Sequence, residues 1–211
     1  MHKSHTINGI DVPSVTENFD LVVTPNLLYW YGTKGWDACQ KVMKESSKYG
    51  RQVHDAIECM LEGKPIKVTG HQRKMVLTVE QWVKETDFKV YMKEVAVQNE
   101  EAMYGGTFDV LGTFGSDPRM WVGDWKTSNR MSKTYPLQLA AYAVGANRKY
   151  GLNINDGFCF RMDKLLKPGK RWVEIEEYHN LQEDYYPIFQ ALRLITGYVK
   201  YGQFRIPNAK D

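Results

Sequence analysis

Two aspartates sit inside apolar runs, Asp109 in Tyr104-Gly-Gly-Thr-Phe-Asp109-Val-Leu and Asp124 in Trp121-Val-Gly-Asp124-Trp-Lys126. Lys126 comes two residues after Asp124, and Gln138 and Tyr142 follow in Pro136-Leu-Gln138-Leu-Ala-Ala-Tyr142. Two carboxylates facing one space are the least that holds Mg²⁺ or Mn²⁺, hard ions that prefer oxygen donors. Cleaving a phosphodiester requires charge neutralisation, an activated water and a stabilised leaving oxygen, and a divalent cation supplies all three. A lysine beside such a site orients the water or stabilises charge in the transition state. The set therefore points to metal-dependent phosphodiester hydrolysis.

Each part also has a plainer explanation. An Asp-x-Lys in a strand is commonly a solvated face. Here the charges are enclosed by Val110-Leu111 and Trp121-Val122, where burial without a purpose is costly. Gln138 and Tyr142, four apart, share one helix face. They are a surface pair, or a tyrosine capping the core, or hydrogen-bonding groups for a backbone phosphate or the carboxylates. His54, after Gly50-Arg-Gln-Val, is either a satisfied helix histidine or a further metal ligand. Glu94 is a solvated strand carboxylate or a site acid. Arg51, Arg130 and Lys133 flank these motifs, where they are solvated or meet phosphates.

The elements that must carry these residues follow from the pattern. An arm over residues 1–23 reads as irregular, with one short strand. Thr24-Pro25 marks a helix start. One helical piece runs over 36–46 and another over 47–61, stopped by Gly63-Lys-Pro65. The spacing predicts a helix over 72–86, with Met75, Val76, Val79, Trp82 and Val83 as its buried face. A strand follows over 88–97, with Val90, Met92 and Glu94 on one parity. Strands over 104–114 and 119–126 are joined by Gly115-Ser-Asp-Pro118, a tight-turn signature. Asp109 and Asp124 then become lateral neighbours, Lys126 shares the face of Asp124, and Gly123 permits close approach beside them. A helix over 135–149, strands over 157–163 and 171–178 around the turn Lys167-Pro-Gly-Lys170, and a helix over 181–200 complete the chain. One domain over 1–211 is expected: an arm and helical part over 1–70, then an α/β core with a closing helix over 71–211.

Composition sets the outer limits. The chain has 211 residues, 43% hydrophobic and 25% charged, which suits one well-buried soluble core. Its 28 basic against 25 acidic side chains leave +3, which permits a nucleic-acid partner without demanding one. Cys39, Cys59 and Cys159 are scattered and form no C-x-x-C pair, which argues against a disulfide framework or a zinc or iron–sulfur site. No run approaches the roughly 18 apolar residues of a membrane span. Met1-His-Lys-Ser-His-Thr6 has no apolar leader core, so a cytoplasmic protein is expected.

Taken in order, Gly50-x-x-x-His54, Glu94, Gly106-x-x-Asp109, Asp124-x-Lys126 and Gln138-x-x-x-Tyr142 resemble the RecB-like branch of the PD-(D/E)xK nucleases. Pro13-Ser14-Val-Thr16 and the apolar cluster after it look most like the phage and mitochondrial genome-maintenance members. The resemblance spans roughly residues 13–163. It implies an α/β restriction-endonuclease-like αβββαβ core with a mixed central sheet and a helical N-terminal addition. It also implies Mg²⁺ or Mn²⁺ held by Asp109, Asp124, the Trp125 carbonyl and His54. Lys126 would serve the attacking water, Glu94 would support the site, and Gln138 and Tyr142 would position DNA. Ser14 and Thr16 match an N-terminal motif. Gly-Thr-Phe-Asp109 stands where the superfamily has Pro-Asp. Iron–sulfur members carry a C-terminal cysteine set that residues 160–211 lack, so no cluster is expected. A phosphate-binding G-x-x-x-x-G-K-[ST] loop is also missing, so no motor is expected.

The resulting expectation is a metal-dependent DNA exonuclease on single strands or duplex ends. It would be phage-encoded, for recombination, replication or DNA turnover, with recombination or replication proteins as partners. An endonuclease cutting at structures or nicks, and a non-catalytic DNA-binding module, are the alternatives. Circular single-stranded DNA separates the first from the exonuclease, and metal-dependent nucleotide release excludes the second.

Overall fold

A computed structural model describes residues 5–164 and 172–201. The turn expected at Lys167-Pro-Gly-Lys170 lies outside them. The chain forms two compact units, residues 20–85 and residues 1–19 with 86–211.

The helical unit holds α1 (Pro25–Lys34), α2 (Trp36–Leu61) and α3 (Gly70–Glu85). Thr24 caps α1, its hydroxyl accepting from the Leu27 amide, with Pro25 at the first helical position. Gly35, at φ +79°, ends α1 and starts α2. The two helical pieces expected over 36–46 and 47–61 are one continuous helix, because Ser46-Ser47 are weak formers that do not break it. Helix α2 buries Val53, Ala56 and Ile57, α3 buries Met75, Val76 and Val79, and the two pack together. Gln72 Nε2 donates to Gln52 Oε1 across them at 3.0 Å. Helix α3 thus groups with α2, and the division falls after residue 85 instead of after residue 70. The arm, expected with the helices, joins the sheet unit.

That arm contains a hairpin, β1 (His5–Ile7) and β2 (Ile10–Val12), where one strand was expected. Asn8 and Gly9 both take positive φ, 51° and 78°, the Asn-Gly pairing that tight two-residue hairpin turns require. A 3-10 turn follows at Thr16–Phe19. The main sheet has order β3 (Phe88–Asn99), β4 (Tyr104–Phe114), β5 (Trp121–Lys126), β6 (Asp156–Met162), β7 (Val173–Tyr178). Within this order β5 and β6 run parallel and the other neighbouring strands antiparallel. They are joined by α4 (Tyr135–Tyr150), the crossover a parallel pair needs. With α3 ahead, the order is αβββαβ in a mixed α/β fold, and the closing helix is α5 (Tyr186–Tyr201), entered through a π-helical turn at Leu181–Tyr185.

Helix α4 is buried on every side from Pro136 to Ala146. It packs on β3 through β6, and also meets the π-helical turn and α5. The core joins Leu139, Ala140 and Ala143 of α4 to Phe108, Leu111 and Val122 of the sheet and Phe189 of α5. A helix packed on both sides needs apolar residues nearly all round. Polar side chains in such a helix must find partners inside, which is the situation of Gln138.

Candidate active site

Strand register brings the carboxylates together. β4 and β5 pair through Val110↔Gly123 and Leu111↔Val122, so the next step sets Asp109 beside Asp124. β3 and β4 pair through Lys93↔Val110 and Val95↔Phe108, which sets Glu94 opposite Asp109. Carboxylate oxygens of Glu94 and Asp109 come within 4.8 Å of one another. The expected shared parity of Val90, Met92 and Glu94 does not hold. A bulge between Val90 and Met92 shifts the register, and Glu94 takes φ +49°, a left-handed conformation unfavourable for a side-chain-bearing residue. Val97 and Asn99 are therefore buried where the original parity would bury Ala96 and Gln98.

Asp109 and Asp124 are both buried, Asp124 to 3% exposure. Asp109 Oδ2 accepts the Trp125 amide at 2.7 Å. The Trp125 indole packs edge-to-face with Phe158 and Phe160, ring centres 5.7 Å and 5.8 Å away. The Trp125 backbone is thereby fixed between the two aspartates. Glycine is required at 123, since a methyl there would run into the Phe158 ring.

Lys126 Nζ lies 2.5 Å from Asp124 Oδ2 and donates to Gln138 Oε1 at 2.9 Å. It also stands 5.0 Å from the centre of the Tyr135 ring. Burial pulls the ammonium down, but the Asp124 carboxylate, with Asp109, reverses that and holds it above its ordinary range. Lys126 is therefore a cation at neutral pH.

Gln138 is the hub. It is 6% exposed. Its amide group donates to Asp124 Oδ1 at 3.3 Å and to the Tyr142 hydroxyl at 2.9 Å, while its carbonyl accepts from Lys126. Burial, then the Asp124 charge, pushes the Tyr142 phenol upward, so it stays a neutral hydroxyl. A methyl on Gly106 would stand 2.6 Å from Tyr142 Cε1, so the glycine of Gly106-x-x-Asp109 makes room for that ring. Cys159 pairs with Asp124 in the parallel register, and burial followed by Asp124 keeps its thiol protonated.

Ser14 and Glu17 form a capping box, with the Glu17 amide donating to Ser14 Oγ at 3.1 Å and the Ser14 amide to Glu17 Oε2 at 3.4 Å. Thr16 Oγ1 is 3.2 Å from Ser14 Oγ. Ser14 and Thr16 thus shape the 3-10 turn at Thr16–Phe19. Arg130 and Lys133 are exposed on the connection from β5 to α4, and Arg51 is exposed on α2. His54, half-buried, also lies on α2 in the helical unit.

Sequence reasoning passed over Tyr135 and Arg161. Tyr135 donates to Ser128 Oγ at 2.9 Å beneath Lys126. Arg161, paired with Lys126 in the β5–β6 register, donates to the Ser128 carbonyl at 3.0 Å and to Glu174 at 2.9 Å. Both fix the segment after β5. Their signal, a tyrosine at the helix start and an arginine in an apolar strand, has meaning only once the strands are paired.

A mixed α/β domain with a buried carboxylate–lysine–glutamine–tyrosine centre is thus defined. No protein-family model and no curated protein matches the chain. Among solved structures it is similar to the crystal structure of SSO0001, at 14% identity over 89% of this chain and 75% of that one, with TM-score 0.45. It is also similar to LHK-Exo, an alkaline exonuclease from Laribacter hongkongensis, at 14% identity over 71% and 82%, with TM-score 0.35. LHK-Exo in complex with dAMP gives 14% identity over 67% and 76%, with TM-score 0.38.

Proposed function

We propose that this protein is a divalent-metal-dependent deoxyribonuclease of the RecB-like kind, an exonuclease on single-stranded DNA or DNA ends. Its setting would be phage recombination, replication or DNA turnover. The observation that carries this is the convergence of Asp109, Asp124 and Lys126 on one another, tied together by Gln138.

The donor set suits a hard cation. Asp109 and Asp124 supply charged oxygens, the Trp125 carbonyl a neutral one, and Glu94 a further carboxylate beside Asp109. The sequence motif adds the His54 imidazole. When bound, Mg²⁺ or Mn²⁺ would neutralise the scissile phosphate, lower the pKa of a water and stabilise the leaving oxygen. Lys126, held protonated, serves as a donor and a positive charge for the developing oxyanion and the water, not as a base. Gln138 fixes the ammonium from one side, and the Tyr142 hydroxyl fixes Gln138. Arg130 and Lys133 offer phosphate contacts on the β5–α4 connection.

The test is digestion of end-labelled single- and double-stranded DNA with Mg²⁺ or Mn²⁺. The parent protein releases nucleotides and leaves circular single-stranded DNA intact. Lys126→Ala and Asp124→Asn remain folded and lose cleavage. Full activity in either purified variant would refute the proposal.

A further inference from the structure

Helix α2 carries a line of cations. Lys41, Lys44, Lys48 and Arg51 follow at spacings of three, four and three residues, which places them on one helix face. All four are exposed. At a rise of 1.5 Å per residue the line is roughly 15 Å long, with successive charges roughly one helical turn apart. Asp37 and Asp55 lie beyond its two ends, and Glu45 borders one side. Asp37 and Glu45 each stand four residues from Lys41, and Asp55 four from Arg51, spacings that support the helix, whereas the charged neighbours of Lys44 at three and four residues are the like charges Lys41 and Lys48.

Open aromatic faces stand at the head of the same helix. Trp36 is 64% exposed and stacks on Tyr31, with centroids 5.1 Å apart and planes at 24°. Tyr29 of α1 is 74% exposed, and Lys34 is exposed beside the Gly35 junction. Rings this open cover no core.

A row of cations leading to uncovered flat rings matches one chemistry. A single strand of nucleic acid has a regular line of phosphates and unstacked bases, so it satisfies both features at once. A duplex would satisfy only the charges. We propose that the helical unit binds a single strand along α2, with phosphates on Lys41, Lys44, Lys48 and Arg51 and a base stacked on Trp36. That the strand is DNA and not RNA rests on the proposed nuclease activity.

The experiment uses the full chain in EDTA, so that nothing is cleaved. Fluorescence anisotropy of labelled oligo-dT is measured across a salt series. Each neutralised phosphate on a single strand adds about 0.7 to the slope of log K against log salt. Lys44→Gln with Lys48→Gln, a helix-compatible change, should lower the slope by about 1.4. Trp36→Ala should weaken binding about tenfold and leave the slope unchanged. Lys64→Gln with Lys84→Gln, in the same unit but off the line, should change neither. An unchanged slope in the Lys44/Lys48 variant overturns the proposal. So does binding of anionic phosphatidylserine vesicles that the same variants abolish while oligo-dT binding persists. Lys126→Ala separates the two proposals, since it should lose cleavage and keep the parent salt slope.

Discussion

Replacing Gln138 by Leu keeps the volume of a buried side chain and deletes three hydrogen bonds. The parent amide donates to Asp124 and Tyr142 and accepts from Lys126. Bonds to charged partners contribute about 1.5–3 kcal/mol each and neutral ones about 0.5–1.5 kcal/mol. The bond to Asp124 is long at 3.3 Å, so it belongs at the low end. Leucine recovers part of the loss through apolar burial. The net expectation is a destabilisation of about 3–4 kcal/mol. For a chain of this size that lowers Tm by roughly 6–16 °C. Thermal unfolding by circular dichroism in EDTA measures it. With Mg²⁺ present and DNA saturating, kcat should fall about 100-fold, because Lys126 loses the group that fixes its ammonium, while KM changes little. A Tm within about 2 °C of the parent would refute the hub. A loss confined to KM would make Gln138 a DNA contact, as the sequence motif suggests, instead of a positioning residue.

Glu94→Gly should relieve the left-handed backbone at φ +49°, raising the urea midpoint by the equivalent of about 1 kcal/mol while lowering cleavage. Destabilisation by glycine would contradict the strain. Gly123→Ala should cost about 1–3 kcal/mol through overpacking on Phe158, and Phe158→Leu in the same chain should recover part of it in a double-mutant cycle. Tyr104 donates to the Ala141 carbonyl at 3.0 Å, and burial, reinforced by Tyr186, raises its pKa well above the ordinary 10.0. Above that ordinary value the unfolded chain loses the proton and the native chain keeps it. Stability is therefore fully present below about pH 10 and falls as pH rises further. Tyr104→Phe should flatten this alkaline limb in a Tm-against-pH series, and an unchanged limb would assign it to other groups.

Much of the site was legible because it depends on short-range geometry. The tight turn after Phe114 makes Asp109 and Asp124 lateral neighbours. Strand parity puts Lys126 with Asp124, and Pro136 and Gly151 bound the helix that carries Gln138 and Tyr142. The Asn8-Gly9 hairpin was equally local, though it read as an irregular arm. Glu94 was misplaced in parity because a bulge has no reliable signature in a single strand. It shows only where two strands count their residues against each other.

By itself, then, the sequence determined which residue types recur at strand and helix periods, and hence the αβββαβ order and the carboxylate–lysine face. Tertiary structure decided what those residues touch. It enclosed α4 between sheet and α5, and so turned Gln138 from a helix-surface amide into the buried link between Lys126, Asp124 and Tyr142. It used Ser14 as a cap, grouped α3 with α2 and set Arg161 beside Lys126. The physical reason is one of range. Periodicity records which side of an element is apolar, whereas partners distant in sequence are fixed by register and packing, which a single element does not encode.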